Sequence, residues 1–338
     1  MLSSLPRLPI ARLLSTAALC ALLAACGDSN RPPVAAITNP APAAGAEPAP
    51  TQAPAPRVAL IMKTLTNPFF VDMEHGARQA EKEIAVDLRV KTATQETSIE
   101  QQIQLVEQEI QAQAKAIVIA PGDSTRLVPV LKKAQDAGIH IVNLDNRLNA
   151  QAMAAIGMQA VPFISVNNEA GAYQAAKFIA DQISQPTDAA IIEGIRSANN
   201  AQQRKSGAVR AFEENKNLRI VASETANWKI DEAYEVAQRL FKQHPHIGLV
   251  FCSNDMMAIG VLKYLQESGK SKVLVAGFDA LEEAKTAIRI GQLSATVDQQ
   301  AAQQGYRGMM AALQLLQGGS PPLELEVEAK LVTADSLK

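Results

Sequence analysis

From residue 57 onward the apolar positions fall into short runs rich in β-branched residues, separated by longer stretches of helical period. The runs Val58–Met62, Leu88–Lys91, Ala116–Ala120, His140–Leu144, Ala189–Glu193, Arg219–Ala222, Leu249–Cys252, Val273–Gly277 and Ser294–Val297 read as strands. Between them, Ile99, Ile103, Val106 and Ile110, and later Ala233, Val236 and Leu240, recur at three- and four-residue spacing and predict helices with one buried face. Strands that are apolar throughout, alternating with amphipathic helices, indicate βαβ units and a parallel sheet covered on both faces. The predicted class is α/β.

The pattern echoes itself. Ala116-Ile-Val-Ile-Ala-Pro-Gly-Asp123 is followed by Leu131-Lys132, Gln135, Gly138 and a strand ending at Asp145. Leu249-Val-Phe-Cys-Ser-Asn-Asp255 is followed by Leu262-Lys263, Gln266, Gly269 and a strand ending at Asp279. Two doubly wound halves on one plan follow from this echo, and a length of 338 residues suits about two domains. Open parallel sheets bind ligands beyond the carboxyl ends of their strands, so two such lobes facing each other would share one cleft.

The first 56 residues do not fit this plan. Residues 1–25 carry Arg7 and Arg12 without an acidic residue, then a short apolar stretch, as in a secretory signal peptide. Leu23-Ala24-Ala25-Cys26 resembles the bacterial lipobox, which makes Cys26 the expected site of lipid attachment. Residues 26–56 hold eight of the 18 prolines among alanines and read as a tether that cannot bury a core. Removal of residues 1–25 leaves 30 basic against 34 acidic residues, and no basic block stands out, so nucleic acid is not an expected partner. Cys252 lies in an apolar run and reads as a buried hydrophobe.

Catalytic and cofactor signatures are missing. No G-x-G-x-x-G follows a strand, and Gly269-Lys270-Ser271 lacks the first glycine of a phosphate loop, whose place is taken by Tyr264. There is no nucleophile elbow, and His244-Pro245-His246 has no third ligand nearby, so neither an enzyme nor a metal site nor a cofactor is expected. What the strand ends do carry is aromatic and forked polar side chains. Phe69, Phe70, Trp228 and Phe278 could cover the C–H faces of a sugar, while Asp145, Asp279, Asn254 and Gln299 could pair its vicinal hydroxyls. Each polar residue alone could equally be a helix cap or turn residue.

Asn67-Pro68-Phe69-Phe70, Asp145-Asn146, Asn254-Asp255, Gly277-Phe278-Asp279 and Ala295-Thr296-Val297-Asp298-Gln299 occur in the order, and at spacings like those, of the ribose-type sugar-binding proteins of bacterial ABC importers. The resemblance covers about residues 57–338. It implies a type I periplasmic binding fold in which two lobes, joined by a three-crossing hinge, close on one sugar. The expected lobes are 57–166 with 300–324, and 167–299 with 325–338, the last crossing falling near Leu323–Glu326. Sugar contacts carried over by the resemblance are Asn67, Phe69, Phe70, Asp145, Trp228, Asn254, Phe278, Asp279 and Gln299. Three positions depart from the family pattern. Lys63 replaces a small hydroxyl residue, Asn146 replaces an arginine, and a later arginine appears as Gln202 or is shifted to Arg204. Lys63 either selects an anionic ligand or pairs with a carboxylate such as Asp145 or Asp298.

The expectation is therefore a monomeric, exported, lipid-anchored receptor in the periplasm or cell envelope. It would bind a monosaccharide or polyol and hand it to an ABC permease. A sensor presenting the same ligand to a histidine kinase or chemoreceptor is the alternative. A sugar-responsive repressor is disfavoured by the export signal.

Overall fold

The computed structural model describes residues 54–338. The expected signal peptide, Cys26 and nearly all of the tether lie outside the described residues. The chain forms two six-stranded sheets, each covered by helices on both faces.

In the first lobe, β1 (Arg57–Met62), β2 (Asp87–Thr92), β3 (Ala116–Ile119), β4 (His140–Leu144), β5 (Phe163–Val166) and β11 (Glu324–Val327) pair in the order β11-β5-β4-β3-β1-β2, all parallel. Period-two alternation splits β1 between two cores. Val58, Leu60 and Met62 pack with α1 (Pro68–Glu83). Ala59 and Ile61 pack with α2 (Ile99–Gln111) and α3 (Val128–Asp136). A short α4 (Ala150–Ala155) lies between β4 and β5.

The second lobe repeats the plan. It contains β6 (Thr187–Glu193), β7 (Leu218–Thr225), β8 (Ile247–Cys252), β9 (Leu274–Ala276), β10 (Ala295–Asp298) and β12 (Lys330–Thr333) in the order β12-β10-β9-β8-β6-β7. Only β12 runs antiparallel to its neighbour. The helices α5 (Asn168–Ala180), α6 (Asn199–Glu213), α7 (Ile230–Gln243), α8 (Asp255–Glu267) and α9 (Glu282–Arg289) belong here, while α10 (Ala301–Leu316) returns to pack on α1, β3 and β4 of the first lobe.

The chain passes between sheets three times: from β5 to α5, from β10 to α10, and from β11 to β12. The third passage is a correction to the expected position. Glu324–Val327 registers with Phe163–Val166 and belongs to the first lobe, so the crossing falls at residues 328–329. Three strands, β5, β11 and β12, were not among the runs read from the pattern. Each has only four residues, and β11 and β12 are edge strands carrying charged side chains.

Asp255 ties the second sheet together where its strands end. The side chain is fully buried; Oδ2 accepts from the Leu281 N–H at 2.9 Å and Oδ1 from the Thr296 hydroxyl at 2.7 Å. It fills the space a side chain at Gly277 would need, since a Cβ there would lie 2.2 Å from Oδ1. Burial pushes this carboxyl up to about 6, against hydrogen bonds that favour its charged form. Because the folded value lies above the unfolded one of about 3.9, the group stabilises the fold when protonated, and that contribution is lost as pH rises from about 4 through about 6. Urea denaturation of wild type and Asp255→Asn should therefore show a stability difference that shifts against wild type across this window, by on the order of 3 kcal/mol, and stays flat above it. A difference independent of pH would contradict the assignment.

Candidate ligand-binding site

The carboxyl ends of the two sheets face each other across a narrow, tightly closed polar cleft lined by buried side chains.

The first lobe supplies a charged cluster over aromatic rings. Lys63 directly follows β1, and its Nζ lies 2.8 Å from Asp145 Oδ2 and 3.8 Å from Glu96. Below the ammonium, 5.4 Å from the ring centre, is Phe70, which meets Phe69 edge-on at 5.0 Å. Asn67 serves twice: Oδ1 caps α1 by accepting from the Phe69 N–H, and Nδ2 donates to Glu96 at 3.0 Å. Asp145 directly follows β4 with φ of 59°, which turns the chain and presents the carboxylate to the cavity.

Arg204 organises the second lobe. Its Nε donates to Asn168 Oδ1 at 2.8 Å, Nη1 to the Ser253 carbonyl at 2.9 Å and Nη2 to Gln299 Oε1 at 3.0 Å. The guanidinium lies 3.9 Å above the Phe278 ring and 3.6 Å from Asp279 Oδ1. Gln299 in turn donates to Asp279 at 2.5 Å. Asn254 caps α8 by accepting from the Met257 N–H. Trp228 is held in place by Gly194, where a Cβ would lie 2.0 Å from the indole. The indole Nε1 of Trp228 and Oδ1 of Asn200 are buried without a protein hydrogen-bond partner.

Ten of the thirteen expected positions line the cavity: Lys63, Asn67, Phe69, Phe70, Asp145, Arg204, Trp228, Asn254, Asp279 and Gln299. Three do not. Phe278 is fully buried beneath Arg204 and acts as its platform. Asn146 turns away from the cavity, its Nδ2 donating to the Pro121 carbonyl at 2.9 Å. Gln202 lies on the exposed face of α6 and donates to the Arg196 carbonyl, so of the two candidate positions it is Arg204 that reaches the cavity. Glu96 and Asn200 complete the lining and were missed. Glu96 could have been found as a carboxylate just beyond a strand end. Asn200 shares a helix face with Arg204 at i+4.

The charges decide what the site can hold. Two cations, Lys63 and Arg204, face three carboxyl groups, Glu96, Asp145 and Asp279. Burial raises Glu96 against the pull of Lys63, and raises Asp279 strongly against the pull of Arg204. Lys63 is thus committed to Asp145; Asp298, the other expected partner, instead accepts from the Gln300 N–H. Among the described residues no group of acidic, histidine and cysteine side chains could hold a metal ion.

The periplasmic binding protein domain, as a family, matches residues 58–320. The chain belongs to this family, in its ribose-type branch. It is 39% identical over 288 residues to the D-ribose/D-allose-binding protein of Pseudomonas aeruginosa, covering 82% of this chain and 89% of that one. Identity to the D-allose-binding periplasmic protein of Escherichia coli is 34% over 277 residues, covering 81% and 89%. A solved ABC transporter periplasmic solute-binding protein from Actinobacillus succinogenes with bound D-allose superposes with a TM-score of 0.79 at 36% identity, over 83% of this chain and 99% of that one. These relatives are solute-binding proteins rather than enzymes.

Trp228 is the only tryptophan of the chain, so intrinsic fluorescence reports on this wall of the cavity. Gly194→Ala should displace the indole toward solvent and red-shift its emission, with a far smaller change in the far-ultraviolet circular dichroism. An unshifted emission maximum would mean that the indole does not depend on Gly194 for its place.

Proposed function

We propose that this chain is an exported receptor of an ABC importer that captures a neutral monosaccharide of the D-ribose or D-allose kind between its lobes and delivers it to the permease. The observation that carries this reading is the set of side chains lining the cleft. It combines aromatic rings with three carboxyl groups, four amide side chains and two cations, all buried, at the meeting of two sheet ends. A pyranose or furanose has hydroxyls that both donate and accept and thus suits such a mixed rim, while its C–H faces suit Phe69, Phe70 and Trp228. Relatives named for D-ribose and D-allose at 30–39% identity support the choice of sugar class.

Neutrality follows from the balance of charge. Both cations are already engaged, Lys63 by Asp145 and Arg204 by Asp279, so neither is left free to receive a carboxylate on the ligand. Calorimetric titration should give tight binding of D-allose or D-ribose and at least tenfold weaker binding of the corresponding uronic acid. Equal or tighter binding of the acid would overturn the neutral-ligand reading, and silence toward all pentoses and hexoses would overturn the sugar reading.

The anchor is part of the same proposal. Leu23-Ala24-Ala25-Cys26 supports lipid attachment at Cys26, and the proline-rich residues 27–56 support a spacer that frees the lobes to reach a permease. Cys26→Ser should move the protein from the membrane fraction to the soluble fraction of the envelope, and retention in the membrane would refute the anchor.

A further inference from the structure

Outside the three connections, the lobes meet through one set of hydrogen bonds. Among the described residues, every hydrogen bond that crosses from lobe to lobe away from those connections runs to Ser197, Asn199 or Asn200, at the start of α6. The Ser124 N–H donates to the Ser197 carbonyl at 3.2 Å. The Asn199 N–H donates to Ser124 Oγ at 3.0 Å, and the Asn200 N–H to Asn146 Oδ1 at 3.3 Å. Asn200 Nδ2 adds a bond to Asp145 at 3.1 Å.

The first N–H groups of a helix have no partner within it, and a side chain at the N-cap ordinarily supplies one. In α6 that position is Ala198, which has nothing to offer. The cap comes instead from the opposite lobe. Its acceptors are oriented beforehand, because Ser124 Oγ donates to Asn146 Oδ1 at 3.2 Å and Asn146 is fixed to the Pro121 carbonyl. Neither Ser124 nor Asn146 lines the cavity. The other rim, where Thr94–Glu96 faces Asn227–Asp231, has no such bond and leaves a groove with an empty volume of about 780 Å³.

We propose that Ser124 and Asn146 are positioning residues for closure. Capping α6 across the cleft, they stabilise the closed form before any ligand arrives and strengthen the binding of every ligand by one factor, without touching it. This rests on the reading above that the ligand is held between the lobes. An affinity measured on a clamp is its intrinsic affinity multiplied by the fraction already closed, so the loss of a cap lowers all affinities together. A neutral hydrogen bond exchanged for water is worth about two- to twelvefold in such an equilibrium.

The test compares wild type, Ser124→Ala, Ser124→Thr and Asn146→Ala. D-ribose and D-allose are titrated calorimetrically, and the lobe separation of the ligand-free proteins is read from small-angle X-ray scattering. Ser124→Ala and Asn146→Ala should each weaken both sugars by the same factor, about two- to twelvefold. Their ligand-free forms should be more open than wild type, and Ser124→Thr, which keeps the hydroxyl, should recover both properties. Unchanged affinities and unchanged scattering in Ser124→Ala would overturn the proposal. So would a change in the ribose-to-allose ratio in Asn146→Ala, which would make that residue a ligand contact. Should neither sugar bind wild type, the ligand reading falls, while the scattering comparison still decides the clasp. Should Asn146→Ala unfold through loss of its bond to Pro121, Ser124→Ala carries the test alone.

Discussion

One buried guanidinium holds the second lobe's half of the cleft to the connections between the lobes. Arg204 bonds to Asn168, just past the first crossing, and to Gln299, within the second. An isolated cation at this depth would cost several kcal/mol in lost hydration. Three donated hydrogen bonds, the neighbouring Asp279 and the face of Phe278 offset that cost. The planar fork matters, because a lysine could reach one of these partners but not satisfy all of them at once. The hinge and the ligand site therefore share a side chain, and a force on one is felt at the other.

The first lobe solves the same problem differently. Lys63 and Asp145 form a compact pair on residues that directly follow strands β1 and β4. Backbone strain accompanies both solutions: Asp145, Trp228 and Asp279 have φ of 59°, 69° and 127°. Such conformations persist only where the surroundings enforce them. Here the ladder does so, since the Asp145 N–H still donates to the Ile164 carbonyl and the Asp279 N–H to the Val297 carbonyl. The ladder thus runs on past the last regular pair, by one residue in β4 and by three in β9, before the chain turns sharply. Side chains aimed by an enforced backbone lose less freedom on binding, which is a route to affinity that adds no contact.

This arrangement explains what could be read from the chain and what could not. Buried strands with apolar runs, and the polar residues at their ends, announce themselves locally, so β1 to β4 and Asp145, Asn254 and Asp279 were legible. β11, with the sequence Glu-Leu-Glu-Val, alternates like an exposed edge and takes its place only through pairing with β5, which is a long-range event. Asn146 follows a legible aspartate, yet the turn at Asp145 sends its side chain the other way, toward Pro121. In α6 the helical period itself separates the candidates: Asn200, Arg204, Ala208 and Ala211 share the buried face, and Gln202 falls on the opposite one. Glu96 lies just beyond a strand end, yet its burial comes from Asn67 and Lys63 of other segments, which the local pattern does not record.

Selectivity and strength of binding need not come from the same residues in such a molecule. Groups that line the cleft, such as Asp145 or Trp228, can act on the difference between one ligand and another. Groups that touch only the opposite lobe act on the population of the closed form and scale every ligand alike. Asp145 belongs to both classes, because it lines the cavity and also accepts from Asn200 across the cleft. A change there alters preference and closure together, whereas Ser124 and Asn146 stand outside the cavity and affect closure alone. The spatial division between lining and clasp is what allows affinity to be tuned without redrawing the shape that the ligand must fit.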